Sequence, residues 1–285
     1  MKRLSKFINI TGVALLLITP PAFAADSAAA LKAVINGDQR SADNKARDRY
    51  RHPLRTLSFF GIEPDMTVVE IFPGGGWYTE ILAPFLKARG RYYAAGTDPD
   101  SSSRYARRTA ERFKEKVESN KTVYGKVHIT VLAPPDKTAI APPGSADMVL
   151  TFRNIHNWMN GGYADEVFTA MYKALKPGGI LGVVEHRGNP SFPQDPKAKS
   201  GYVHQDYAIH LAEKAGFKFV ASSEVNANPK DSKDYPKGVW TLPPTLTLKN
   251  EDIKSYYKAW VFNHNGIYFL FLFWQYTIFV LKAKI

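Results

Sequence analysis

The sequence predicts an α/β fold, an open sheet flanked by helices, and three observations carry that prediction. The first is the stretch Val68-Val69-Glu70-Ile71-Phe72-Pro73-Gly74-Gly75-Gly76-Trp77-Tyr78-Thr79. It is an apolar run that reaches an acid, turns through glycines and opens into a helical pattern. Strand, glycine turn and helix in that order are how nucleotide-like ligands are held in open α/β sheets. The second is the alternation of short apolar runs with helical segments along residues 67–225. The third is size. A chain of 285 residues without a single cysteine fits one large α/β domain whose core needs no disulfide staples.

The amino terminus reads as a targeting segment. Lys2, Arg3 and Lys6 make a basic start, Ile8 to Ile18 is mostly apolar, and Ala22-Phe23-Ala24 is a small-x-small cleavage site. Cleavage after Ala24 leaves 261 of the 285 residues. The apolar core is shorter than the roughly 20 residues a membrane-spanning helix needs, so the expectation is export to a bacterial periplasm with no anchor retained. The absence of cysteine removes thiolate nucleophiles, zinc–cysteine sites and disulfides from consideration. The formal charge is +12, or +9 without the three signal-segment cations. Lys and Arg are spread without a long basic block, which reads as a solvated surface rather than a nucleic-acid face.

Residues 25–61 form a predicted helical cap. Asp26 to Asn36 is Ala-rich and helical, and Ser41 to Pro53 is highly charged. Pro53 disfavours helical geometry at His52. A second helix over Leu54 to Phe60 stops at Gly61. Asp48, Arg49 and His52 either face a pocket or make surface ion pairs. The main domain, 62–285, opens with strand 1 (Thr67 to Phe72) and a helix from Trp77 to Lys87. Strand 2 (Arg91 to Gly96) leads to Asp98, 22 positions beyond Gly76. That is near the spacing at which a carboxylate meets ribose hydroxyls, though Asp98 before Pro99 is also a plain turn residue. A serine-capped helix (Ser101 to Glu118), strand 3 (Val127 to Leu132), a proline-rich loop holding Asp136, and strand 4 (Ser145 to Phe152) follow. Asp147 at the start of strand 4 reads as structural.

Behind strand 4 stands the densest polar cluster, Arg153-Asn154-Ile155-His156-Asn157-Trp158. Ligands in open α/β sheets bind beyond the carboxyl ends of strands, so this cluster reads as a site, with Ile155 as its one core-facing member. A helix from Gly162 to Leu175 ends in Leu175-Lys176-Pro177-Gly178-Gly179 before strand 5, Ile180 to Glu185. Glu185-His186-Arg187 again falls at the ligand-binding edge. The helix Tyr202 to Ala215 runs through Gly216-Phe217 into strand 6, which ends at Val225. Asn226 to Asn250 is a polar, proline-bearing insertion long enough to be a lid. The tail at 260–285 is unusually apolar. Its run Tyr268 to Leu281 is fourteen residues long, too short to span a bilayer, and Thr277 to Leu281 is the candidate for a seventh strand.

The acid before the glycine turn, the Leu175–Gly179 turn and the Ala215-Gly216-Phe217 junction together resemble class I S-adenosylmethionine-dependent methyltransferases. From Asp43 to Val225 the chain is similar to the predicted methyltransferases that some bacteria export with a signal peptide. It departs from the family pattern at Phe72, which stands where the first glycine of the motif belongs. The resemblance implies a Rossmann-like, seven-stranded, mostly parallel sheet in the order 3-2-1-4-5-7-6 with helices on both faces. It implies S-adenosylmethionine held by Glu70, Gly74, Gly75, Gly76 and Asp98, with Asp136 near the adenine amino group and Arg153 and Asn154 at the crevice. Methyl transfer is a direct displacement that depends mainly on alignment. A base serves where the acceptor, expected to be a small molecule, loses a proton. His156 is the first candidate for it, with Glu185 and His186 behind, and no metal is implied. Two other readings stay open. An exported, non-catalytic ligand-binding protein on the same fold avoids the problem of cofactor supply outside the cytoplasm. A dinucleotide-dependent oxidoreductase is disfavoured by Thr79 at the third small position of G-x-G-x-x-G/A.

Overall fold

The computed structural model describes residues 22–242, 245, 247, 248 and 276–283. The expected signal segment as far as residue 21, and most of the apolar tail, lie outside the described residues. Seven strands make one sheet: β1 (Thr67–Ile71), β2 (Arg91–Gly96), β3 (Val127–Val131), β4 (Ala146–Phe152), β5 (Leu175–His186), β6 (Phe217–Ser223) and β7 (Tyr276–Ala283). Their order is β3-β2-β1-β4-β5-β7-β6, as the resemblance implies. The first five pair in parallel, and β7 runs antiparallel between β5 and β6.

Alternate residues of each central strand feed opposite faces, as the pleat requires. Val68, Met148, Leu150 and Val280 pack beneath one layer of helices, while Val69, Ile71, Val149, Leu181 and Phe279 pack beneath the other. Burial on both faces explains why these strands read as nearly continuous apolar runs. The first layer holds α1 (Ala22–Asn36), α2 (Ala42–Lys45), α3 (Asp48–Arg51), α4 (Pro53–Phe60), α5 (Thr79–Leu86), α6 (Arg104–Ser119) and α7 (Lys121–Tyr124). The second holds α8 (Ile155–Gly161), α9 (Ala164–Ala174) and α10 (Gln205–Lys214). Leu31 and Ile35 of α1 and Leu57 and Phe60 of α4 belong to the same core as α5. Among the described residues, no helix is long and apolar enough to cross a membrane.

Local chemistry accounts for several boundaries. His52 takes a left-handed conformation (φ 40°, ψ 55°) directly before Pro53, the first residue of α4, so the chain turns where proline forbids a continuous helix. Pro84 lies inside α5 and has no N–H for the carbonyl of Glu80 four residues back. Gln39 Nε2 donates to that carbonyl instead, at 3.2 Å. Helix α5 starts at Thr79 rather than at Trp77, because residues 74–78 are spent in the glycine turn. The Leu175–Gly179 segment belongs to β5: Leu175 pairs with Ala146, and the register shifts before Met148 meets Ile180. Asp147 is structural, accepting the N–H of Thr67 at 2.8 Å and pairing with Lys176 at 2.6 Å.

Candidate active site at the carboxyl ends of the central strands

The sheet reverses its order between β1 and β4, and the crevice at such a reversal is where open α/β sheets take their ligands. The glycine turn follows β1 and the polar cluster follows β4, so both sequence-predicted groups meet there. Phe72 leaves β1 with φ 47°. A side chain thus adopts the left-handed backbone the family motif gives to glycine, at a cost of roughly 1–3 kcal/mol. Its N–H is held by Ala95 O at 2.8 Å, and its ring packs on Trp158 at a centroid distance of 6.4 Å. Gly74 and Gly76 follow with φ 57° and 76°. A Cβ added at Gly74 or Gly75 meets nothing within 4 Å, whereas one at Gly76 meets the Lys116 side chain at 2.8 Å. Gly74 and Gly75 therefore line open space that a ligand can approach closely, and Gly76 is a packed position.

Glu70 lies under α5, only 3% exposed. The hydroxyls of Tyr92 and Thr79 donate to its carboxylate, the second at 3.3 Å, and occupy the place the sequence reading reserves for a ligand. Burial pushes its pKa up to about 7, against the opposing pull of those hydrogen bonds and of Arg153 and Arg51. Thr79, the misfit of the dinucleotide motif, has its role here. Asp98, at the end of β2, accepts from Lys137 Nζ at 2.8 Å and from the N–H of Asp100 at 3.0 Å. The Lys137 hydrogen bond holds it below the usual carboxylate range. Asp136 is exposed at the tip of the turn that bridges Ala133 to Lys137. The two carboxylates predicted for ribose and adenine thus sit at neighbouring strand ends, with Lys137 already bonded to the first.

The cluster after β4 is built from backbone outward. Arg153, at φ 62°, gives its N–H to Val184 O at 2.6 Å. Asn154 Nδ2 donates to Ile71 O at 3.0 Å, tying the start of α8 to the glycine turn. Glu185, at the end of β5, accepts the Ile155 N–H at 2.7 Å and the His186 N–H at 2.8 Å, and meets His156 Nδ1 at 3.1 Å. With a carboxylate as its partner, Nδ1 is the nitrogen that donates in this contact, and Nε2 is the ring nitrogen left to meet a ligand. The three candidates His156, Glu185 and His186 are thereby brought together at 6%, 1% and 2% exposure. The rings of His156 and His186 lie 5.6 Å apart. Burial first, then His156, Arg153 and Arg51, hold His186 well below the ordinary imidazole pKa. Ile155 is not alone in facing the core, for Trp158 is equally buried. This is what α8 requires of positions three apart.

Other residues reach the site from the expected lid, the loop before α10 and the cap. Trp240, in the expected lid, sets its ring 5.7 Å from that of His156 at 80°. Tyr202 stands 6.3 Å from His186 and donates to Asp231 at 2.8 Å. Asn226 joins the lid to the cap, with Oδ1 2.8 Å from His52 Nδ1 and Nδ2 donating to Thr56 Oγ1 at 3.2 Å. Arg51 lies over the Trp77 ring at 4.5 Å, and Arg40, bonded bidentately to Asp48, lies over the same ring at 4.9 Å. Of the three cap residues singled out from the sequence, Asp48 and His52 are thus spent on packing the cap. Arg49 lies over the ring of its neighbour Tyr50. Contacts between segments so far apart in the chain have no local pattern to announce them. Among the described residues no three metal-ligating side chains come together.

No family model and no curated protein matches the chain. Solved structures do. A S-adenosylmethionine-dependent methyltransferase from Aquifex aeolicus is 19% identical, with TM-score 0.50 over 64% of this chain and 87% of that one. The [4+2]-cyclase SpnF is 12% identical, with TM-score 0.53 over 88% and 86%. A structure from Galdieria sulphuraria, provisionally named a sarcosine dimethylglycine methyltransferase, is 10% identical with TM-score 0.50 over 87% and 89%. At these identities the likeness defines the fold, which is the Rossmann-like fold of the class I methyltransferases.

Proposed function

We propose that this chain catalyses S-adenosylmethionine-dependent methyl transfer to a small-molecule acceptor whose nucleophilic atom gives up a proton. The observation that carries the reading is the Glu185–His156 pair, 3.1 Å apart and joined by α8 to the glycine turn. Fold by itself does not select methyl transfer, and SpnF, named for a cyclisation, has the same fold. The residues present fit the cofactor at the turn, where Gly74 and Gly75 leave room for close approach. Asp98 would take the ribose hydroxyls on releasing Lys137, and Asp136, Arg153 and Asn154 stand at the crevice edge. When bound, S-adenosylmethionine supplies an electrophilic methyl group. The chain's own part is to align the acceptor and, through His156 Nε2, to take its proton. Glu185 keeps the imidazole in the required tautomer and balances the charge it gains. His186, neutral by burial, adds no competing cation.

Export is part of this reading. Cleavage after Ala24 leaves Ser27, Leu31 and Ile35, the buried residues of α1, in the mature chain. The non-catalytic alternative draws on Phe72 in a glycine's place and on the existing Asp98–Lys137 bond. The two readings part in calorimetric titration of the chain from Ala25 onward with S-adenosylmethionine and S-adenosylhomocysteine. Micromolar binding is expected, and Gly74→Val, which forces a branched side chain into φ 57° and into the open space, abolishes it. A folded wild-type chain that binds neither compound overturns the cofactor assignment.

A further inference from the structure

A base must come within about 3 Å of the proton it takes, so whatever lies over His156 decides what reaches it and how the ring is held. The hydrogen bond to Glu185 fixes one ring nitrogen, and by itself it does not set the plane of the ring. Beside the tilted His186 ring, it meets the edge-to-face packing of Trp240, 84 positions away in the chain. Trp240 belongs to a short 3₁₀ turn, Gly238–Thr241, that is fitted to the loop before α10. Val239 N–H donates to Ser200 O at 2.8 Å. A Cβ at Gly238 would lie 1.9 Å from Ser200 O, and one at Gly201 would lie 2.3 Å from Val239 and 3.1 Å from Trp240. Two glycines thus allow the turn and the loop to interlock, and the Tyr202–Asp231 and His52–Asn226 bonds hold the same segment further along.

We propose that Trp240 is a positioning residue for the Glu185–His156 pair, and that residues 226–242 are a fitted cover which shields the acceptor side and sets the plane of the His156 ring. The proposal rests on reading that pair as the base. The cover is an interlocked surface, so acceptors reach His156 only when the 3₁₀ turn lifts from the 198–202 loop. Trp240 then returns against the imidazole and excludes water from it.

The test is the rate at which diethyl pyrocarbonate modifies His156 in the full chain, mapped by peptide mass spectrometry, with the exposed His128 as internal standard. Trp240→Ala raises the His156 rate relative to His128 by about tenfold or more, as local uncovering of a buried group does. Trp240→Phe restores most of the protection, which a merely structural loss would not allow. Gly201→Val keeps the indole in the sequence but pushes the turn that carries it off its loop, and it exposes His156 as Trp240→Ala does. Unchanged His156 rates in both Trp240→Ala and Gly201→Val overturn the proposal, as does a Phe variant no better protected than Ala. Titration of the wild type with S-adenosylhomocysteine reports on the cofactor alone. A chain that shows the protection pattern without binding it keeps the cover and loses the methyl-transfer reading.

Discussion

Glu70 and Glu185 end strands of the same sheet, two strands apart, and both are almost wholly buried at 3% and 1% exposure. Their donors differ. Glu185 receives two peptide N–H groups whose positions are set by the fold, and it faces an imidazole. Among the described residues, the donors to Glu70 are the hydroxyls of Tyr92 and Thr79. A peptide N–H can only donate, so it holds its partner as an acceptor. A hydroxyl can turn and accept, so it tolerates a carboxylic acid as readily as a carboxylate. Burial pushes Glu70 up to about 7, and its two hydrogen bonds only partly oppose that rise. The difference separates an acceptor tied to the candidate base from an acid that takes up a proton within the physiological range.

Removing each carboxylate should expose that contrast. The largest effect is expected for Glu185→Ala, which strips the acceptor from two peptide groups and from His156 at once. Chemical denaturation should show a loss of about 3–5 kcal/mol, the usual result of orphaning buried polar partners. A loss below about 1 kcal/mol would mean that the three bonds are not made in solution. Glu70 comes next. The folded chain keeps a proton that the unfolded chain, at 4.5, has already released. Its contribution is therefore complete below pH 4.5 and is lost as pH rises to about 7, up to about 3 kcal/mol in all. Glu70→Gln should erase that slope and be the more stable protein at pH 8, which thermal unfolding across pH can read. His186 acts in the opposite sense, its contribution lost as pH falls below the ordinary imidazole value of 6.5. The difference between the wild-type and Glu70→Gln curves isolates the carboxylate. The smallest effect is expected for Phe72→Gly. Relief of the left-handed strain is offset by glycine's entropy and by lost packing on Trp158, so the net change stays within about 1 kcal/mol.

Most element boundaries were legible because they are written in local signals: apolar runs, Pro53 before a helix, glycines after one; the sheet order came from the resemblance alone. The seventh strand was legible too, since Thr277 to Leu281 lies within β7. The placement of His156 just beyond β4 and of Glu185 and His186 at the end of β5 was legible from the strands they follow. Pairing was not, for nothing in the spacing of residues 156 and 185 says that a carboxylate will seat one nitrogen of a particular ring. The partners of Glu70 were likewise hidden, because Tyr92 comes from the next strand. Lys137, Tyr202, Asp231 and Trp240 were missed for the same reason.

The placement of β7 also has a consequence for how the chain comes to be folded. It lies between β5 and β6, with Glu185 in register with Thr277, yet it follows β6 by some fifty residues in sequence. The antiparallel region of the sheet is therefore no preformed unit awaiting a late addition: β5 and β6 are not neighbours in the sheet and are joined by β7. During synthesis the chain must hold β6 and its helix α10 without their bridging strand until residues 276–283 have emerged. Contacts of such long sequence separation form slowly, so the strand end that carries Glu185 is among the last parts of the molecule to acquire its final neighbours.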